Sequence, residues 1–65
     1  MDLKRLDYEN MTSFQATEEM KKLDDMCYLM EKNGIEYSFD QVVEIKTRQV
    51  KLEMIIKGEK VKNDD

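Results

Sequence analysis

The pair Asn33-Gly34 divides the sequence into two parts whose apolar residues recur at different intervals. Before this pair, apolar side chains recur every three or four residues, as they do on one face of a helix. After it, they alternate with polar side chains, as they do in a strand with one buried face. The sequence therefore predicts an α+β fold, in which one amphipathic helix packs on a small antiparallel sheet of two or three strands.

The predicted helix covers residues 13–33, and its start, its apolar face and its end agree with one another. Thr12 and Gln15 have the spacing of a capping box, and Gly34 can adopt the left-handed conformation that ends many helices. On a helical wheel, the apolar side chains lie within about 80° of one another. This face consists of Ala16, Met20, Leu23, Cys27 and Met30. We expect it to cover the sheet.

The predicted strands cover residues 35–57, where apolar and polar side chains alternate and β-branched residues are frequent. Both features favour strands. The parity of the alternation changes between Ile45 and Val50, which places a turn near residues 46–49. We therefore expect two or three short strands in this part of the chain.

The alternative is a second helix from Phe39 to Lys57, which gives a helical hairpin. Ser38 and Gln41 have capping-box spacing, and Gly58 supplies an end signal. On a helical wheel, however, the apolar side chains of this segment spread around nearly the whole circumference, so no single face would be buried. This scatter favours the strands.

The chain has 65 residues, enough for one small domain. We expect this domain to span residues 1–58, with residues 1–11 as an N-terminal arm and residues 59–65 as a flexible charged tail. A core of this size supplies only about 3–5 kcal/mol of stability. Cys27 is the only cysteine and histidine is absent, so we expect neither an internal disulfide nor a metal or other cofactor. The remaining means of stabilisation are a very economical core or oligomerisation, and we expect a homodimer.

The charge and residue usage of the chain indicate its partners, its location and its source. The net charge is −4, whereas general nucleic-acid binding needs clustered basic residues. We expect no membrane span, and a cytoplasmic location in which the Cys27 thiol stays reduced. The residue usage is typical of an AT-rich bacterial or phage genome.

Catalysis is not expected. The chain has no histidine, the commonest general base, and only two glycines, Gly34 and Gly58, which are too far apart for a phosphate-binding loop. We therefore predict that the protein is not an enzyme.

Three residues of the predicted helix lie off its apolar face: Phe14, Tyr28 and Leu29. Apolar and aromatic side chains outside a core face are frequent anchors of protein interfaces. Tyr37 and Phe39 of the first predicted strand complete this set of candidate partner-binding residues. We predict a non-catalytic protein–protein interaction module that acts as a regulator, adaptor or inhibitor through the outer helix face or an open sheet edge.

The alternative function is that of a nucleic-acid-associated regulator. Lys46, Arg48 and Lys51 surround the predicted turn, and the aromatic rings of Tyr37 and Phe39 could stack on bases beside them.

Overall fold

The computed structural model describes residues 4–63, and within them the chain forms a helical hairpin. A short 3₁₀ helix, Tyr8–Asn10, lies in the N-terminal arm. It is followed by helix α1, Ser13–Lys32, and helix α2, Phe39–Ile56. The two long helices pack against each other, and α2 also contacts the short helix.

The predicted α+β fold is wrong. Residues 39–56 are helical, and no strand occurs between residues 4 and 63. Consequently the predicted turn at residues 46–49 is absent, because these residues lie inside α2, and the described chain offers no sheet edge for a partner. The fold is the alternative, a helical hairpin.

The alternation of apolar and polar residues led to the wrong prediction of strands, because it also occurs in a helix with two apolar faces. Positions i and i+2 lie about 200° apart on a helix, so alternating apolar residues fall on opposite sides. Leu52 of α2 is fully buried, whereas Val50 is exposed. The scatter on the wheel thus reflects one face toward α1 and a second face toward solvent.

The predicted helix over residues 13–33 is confirmed as α1. The Thr12 side chain accepts a hydrogen bond from the Gln15 backbone N–H at 3.1 Å, and the Gln15 side chain accepts one from the Thr12 N–H at 3.0 Å. This reciprocal pair is the predicted capping box. At the other end Gly34 has a φ of +68°, a value that residues with a Cβ rarely adopt.

Helix α2 begins and ends in the same way as α1. The Ser38 and Gln41 side chains form a second capping box. Gly58 follows the helix with a φ of +89°, and the Glu59 N–H donates to the Met54 carbonyl at 2.9 Å. Both helices are therefore closed by local signals that do not depend on their packing.

The core lies between the two helices and is entirely apolar. Its buried side chains are Ala16, Leu23 and Met30 of α1 and Ile45, Leu52 and Ile55 of α2. Those of α1 belong to the predicted apolar face. No polar or charged residue is buried in the described part of the chain, so burial leaves no polar group to be satisfied.

The segments that flank the hairpin also contribute to the core. Leu6, Tyr8 and Met11 of the arm and Val61 near the C-terminus pack against the buried cluster as partly exposed side chains. The predicted arm over residues 1–11 and the predicted tail over residues 59–65 include residues 1–3 and 64–65, which lie outside the described part.

Candidate protein-binding surfaces

The connection between α1 and α2 is built from the two helix ends. The Ile35 N–H donates to the Met30 carbonyl at 2.9 Å, and the Gly34 N–H donates to the Glu31 carbonyl at 3.1 Å. This pair of hydrogen bonds reverses the chain direction at the end of α1. A few residues later the capping box at Ser38 starts α2, so the connection is short and defined at both ends.

Tyr37 anchors this connection to the hairpin. Its hydroxyl donates a hydrogen bond to the Cys27 carbonyl at 3.3 Å, and its side chain is half-buried against the core. Partial burial raises the pKa of Tyr37 above its usual value, and a hydrogen bond with the Cys27 side chain raises this pKa further. Tyr37 therefore serves the structure of the loop, although the sequence placed it among partner-binding residues.

Tyr28, Leu29 and Phe39 lie at the loop end of the hairpin and are exposed. Tyr28 and Leu29 are in the last two turns of α1, and Phe39 is the first residue of α2. The exposed fraction of Phe39 is 81%, the largest among the exposed apolar side chains. Phe14 is exposed as well, but it lies in the first turn of α1, at the opposite end of the hairpin.

Ile35 is a further exposed apolar residue at this end. The sequence did not place it among the candidate partner-binding residues, and its backbone N–H donates to the Met30 carbonyl. Its position in the connection, between two capped helix ends, was the signal that could have assigned it to a surface. Tyr28, Leu29, Ile35 and Phe39 are called the loop-end cluster below.

A second apolar surface runs along α2 on the side opposite the core. At about 100° per residue, its four side chains lie within about 60° of one another. They are Phe39, Val43, Val50 and Met54, and they are called the outer stripe below. All are exposed except Met54, which is half-buried. Val43 and Val50 were not predicted as surface residues because they were assigned to strands.

Lys46, Arg48 and Lys51 lie along α2 rather than around a turn. At about 100° per residue, Arg48 and Lys51 share the side that faces the arm, and Lys46 lies on another side. The Arg48 guanidinium donates to the Lys4 carbonyl, and the Lys51 ammonium lies 5.0 Å from the centre of the Tyr8 ring. Two of these cations thus hold the arm to α2, and the third, Lys46, lies beside the groove that contains Tyr37.

The arm and α2 enclose a cleft of 620 Å³ at these contacts. It is lined by basic residues, among them Arg5 and Arg48, and by acidic residues, among them Asp40 and Glu44. Because opposite charges are mixed along its walls, the cleft has no strong preference for an anion or a cation.

The arm is also joined to the C-terminal segment through Asn63. The Tyr8 N–H donates to Asn63 Oδ1 at 2.7 Å, and Asn63 Nδ2 donates to the Asp7 carboxylate at 2.8 Å. Asn10 Nδ2 donates to the other Asp7 oxygen at 2.7 Å. The hydrogen bond from Asn10, followed by that from Asn63, lowers the pKa of Asp7.

The described residues contain no group of three or more side chains placed to hold a metal ion. No helix within residues 4–63 has both the length and the apolar character needed to cross a bilayer. The chain matches no protein-family model, no curated protein and no solved structure. The loop-end cluster and the outer stripe are therefore the basis for assigning a function.

Proposed function

We propose that the protein is a non-catalytic protein–protein interaction module that regulates, recruits or inhibits a partner protein bound at the loop-end cluster. The observation that carries this proposal is the exposure of Tyr28, Leu29, Ile35 and Phe39 at one end of the hairpin. Both helices and their connection contribute to this end. A binding site built there is presented by two capped helices and a short connection.

The chemistry of the cluster suits a protein partner. Two of its members are aromatic, and aromatic side chains bury large areas with few rotamers to fix. Glu31, Lys32 and Glu36 are exposed at the same end of the hairpin, so charged groups accompany the apolar ones there. This arrangement is typical of transient protein interfaces.

Four charged or hydroxyl-bearing side chains of the described chain have structural roles, which supports a non-catalytic function. Asp7 and Tyr37 carry shifted pKa values, and in each case the causes include hydrogen bonds within the protein. Arg48 and Lys51 contact the arm. These groups maintain the hairpin, and the exposed apolar side chains are left for recognition.

A cytoplasmic location is part of the proposal. Cys27 is half-buried beside the core, and a protein with one such thiol keeps it reduced most easily in the cytoplasm.

Site-specific photo-crosslinking in the native cell tests this proposal. Benzoylphenylalanine at position 29, in the cluster, is compared with the same amino acid at position 18, where Glu18 is exposed near the start of α1, at the other end of the hairpin. We expect the probe at position 29 to give a discrete adduct with a second protein species, and the probe at position 18 to give little. Equal labelling from positions 18 and 29, or no adduct from position 29, would contradict the proposal.

A further inference from the structure

We propose that two copies of this chain associate through the outer stripe of α2, with the two α2 helices antiparallel about a twofold axis that passes beside Lys46 and Thr47. This inference goes beyond the proposed function, because the stripe occupies the length of α2 whereas the loop-end cluster occupies one end of the hairpin. Phe39 belongs to both surfaces and is left unchanged in the tests below.

The position of the stripe makes it available to a second copy. Ile45, Leu52 and Ile55 face α1 and are buried. The stripe lies about 180° away from them, on the side of α2 that faces away from α1. Val43 borders the cleft beneath the arm, and both Val43 and Val50 are exposed, so the stripe presents apolar side chains to water.

The spacing of the stripe is the same when read in either direction. Phe39 and Val43 are separated by four positions, Val43 and Val50 by seven, and Val50 and Met54 by four. In an antiparallel pair of helices, Phe39 therefore lies opposite Met54 of the second copy, and Val43 lies opposite Val50. A twofold interface requires this kind of self-complementary surface, since the same patch is used by both copies.

The exposed area of the chain matches what such an interface needs. The accessible surface is 5202 Å². A compact monomer of 7.8 kDa exposes about 4,400 Å², so this chain exposes roughly 800 Å² more. A standard protein interface covers about 800 Å² on each partner. The excess is therefore comparable to the area that one copy contributes to such an interface.

The distribution of charge also favours α2 over α1 as the contact. Helix α2 contains three acidic and three basic residues and has no net charge. Helix α1 contains five acidic and three basic residues, a net charge of −2. Because the whole chain carries −4, a pair formed through α2 brings the neutral helices together and keeps the acidic ones apart.

Lys46 gives the interface a recognisable centre. It lies about 50° from the middle of the stripe and next to the proposed axis, so it approaches Lys46 of the second copy. A lysine there can extend its ammonium into water while its methylene groups cover the apolar contact. For helices about 9 Å apart, the two Cα atoms are about 5–6 Å from each other, within the range that a disulfide spans.

Sedimentation equilibrium tests the association with a matched pair of variants. Val50 in the stripe and Leu29 outside it have exposed fractions of 56% and 54%, and each is replaced by aspartate. We expect the unaltered chain to form dimers at high micromolar concentration, and Val50→Asp to raise the dissociation constant at least about 100-fold by burying a carboxylate. Leu29→Asp is expected to leave the dissociation constant unchanged.

A monomeric mass for the unaltered chain at about 1 mM would overturn the inference, as would dissociation caused by Leu29→Asp but not by Val50→Asp. With the benzoylphenylalanine probe moved to position 35 of the loop-end cluster, loss of partner crosslinking in Leu29→Asp with an intact dimer is the combination expected when both proposals hold. Because the two variants affect different surfaces, failure of one proposal is distinguishable from failure of the other.

A cysteine crosslink tests the register even if Val50→Asp does not fold. In a Cys27→Ser background, Lys46→Cys is expected to give a disulfide-linked dimer under mild oxidation, at a rate well above that of Asp25→Cys on the exposed side of α1. Equal rates for the two positions would overturn the twofold packing. Circular dichroism is recorded for each variant to verify that the hairpin is retained.

Discussion

The Asn63 side chain donates a hydrogen bond to the carboxylate of Asp7 at 2.8 Å, across 56 positions of sequence. The same Asn63 side chain accepts hydrogen bonds from the Tyr8 and Glu9 backbone N–H groups. One amide thus satisfies the first turn of the 3₁₀ helix and holds the C-terminal segment against the arm.

Replacing Asn63 by alanine is expected to raise the pKa of Asp7 toward its usual value. Asn63 is the second of the hydrogen-bond donors that lower this pKa, after Asn10. Since the pKa of Asp7 is lowered in the folded protein, its contribution to stability is present above about pH 4 and is lost as the pH falls through the lowered pKa. NMR titration of the Asp7 carboxyl carbon measures the change. An unchanged titration in Asn63→Ala would mean that this hydrogen bond does not affect the pKa of Asp7 in solution.

Leu52→Ala is expected to destabilise the protein by about 2–5 kcal/mol, because Leu52 is fully buried between the helices and its removal leaves a cavity. A domain this small has only about 3–5 kcal/mol of stability, so the variant is expected to be largely unfolded at room temperature. Urea unfolding followed by circular dichroism measures the change. Val50→Ala, on the opposite face of α2, is the control and should retain the helical signal. A Leu52→Ala protein as stable as the control would contradict the packing described here.

Ser38→Ala is expected to lower the free energy of unfolding by about 1 kcal/mol, since it removes the side-chain oxygen that accepts from the Gln41 N–H at the start of α2. Thr47→Ala, in the middle of the same helix, serves as the control and is expected to change stability much less. Thermal unfolding of the two variants in parallel provides the measurement. A larger loss in the control would show that the capping box contributes little.

Tyr37 is expected to ionise above the usual pH for tyrosine, because partial burial and a hydrogen bond with the Cys27 side chain raise its pKa. For a group whose pKa is raised on folding, the stabilisation is complete below about pH 10 and is lost as the pH rises through the raised pKa. Ultraviolet absorbance during alkaline titration, compared between the unaltered chain and Tyr37→Phe, isolates this residue. Disappearance of a component at or below the usual pKa in the variant would contradict the assignment.

Helix α1 could be predicted from the sequence because three independent signals coincide in it. The capping box at Thr12, the single apolar face and the glycine at position 34 each point to the same boundaries. For α2 the signals at its two ends were equally clear, since Ser38, Gln41 and Gly58 occupy the same relative positions. The apolar pattern between them was taken as decisive, and it favoured strands.

That pattern misled because a helical wheel tests for one buried face. Helix α2 has Ile45 and Leu52 toward the core and Val43 and Val50 toward solvent, so its apolar residues spread around the circumference. β-branched residues favour strands only weakly, and packing against α1 outweighs that preference. Capping signals depend only on the residues at the helix ends, so they stay valid when the apolar pattern is ambiguous. The apolar periodicity, in contrast, includes every apolar surface of the helix, both the one in the core and those for partners.

The candidate surfaces were predictable in part. Tyr28 and Leu29 could be placed outside the core of α1 because the wheel of that helix was correct. The outer stripe could not be seen while Val43 and Val50 were assigned to strands. The contacts of Arg48 with Lys4 and of Lys51 with Tyr8 join segments distant in sequence, and no local pattern indicates such pairings.

The short connection between the capped helices determines whether the chain folds before or after it meets a second copy. Two adjacent helices joined by a local reversal fold in about microseconds to milliseconds, and the absence of proline removes the slow isomerisation step that delays many proteins. Two copies at micromolar concentration meet only on a timescale of about seconds. Each newly made hairpin therefore completes its own folding first, and passes a brief period as a single molecule with the outer stripe of α2 in water.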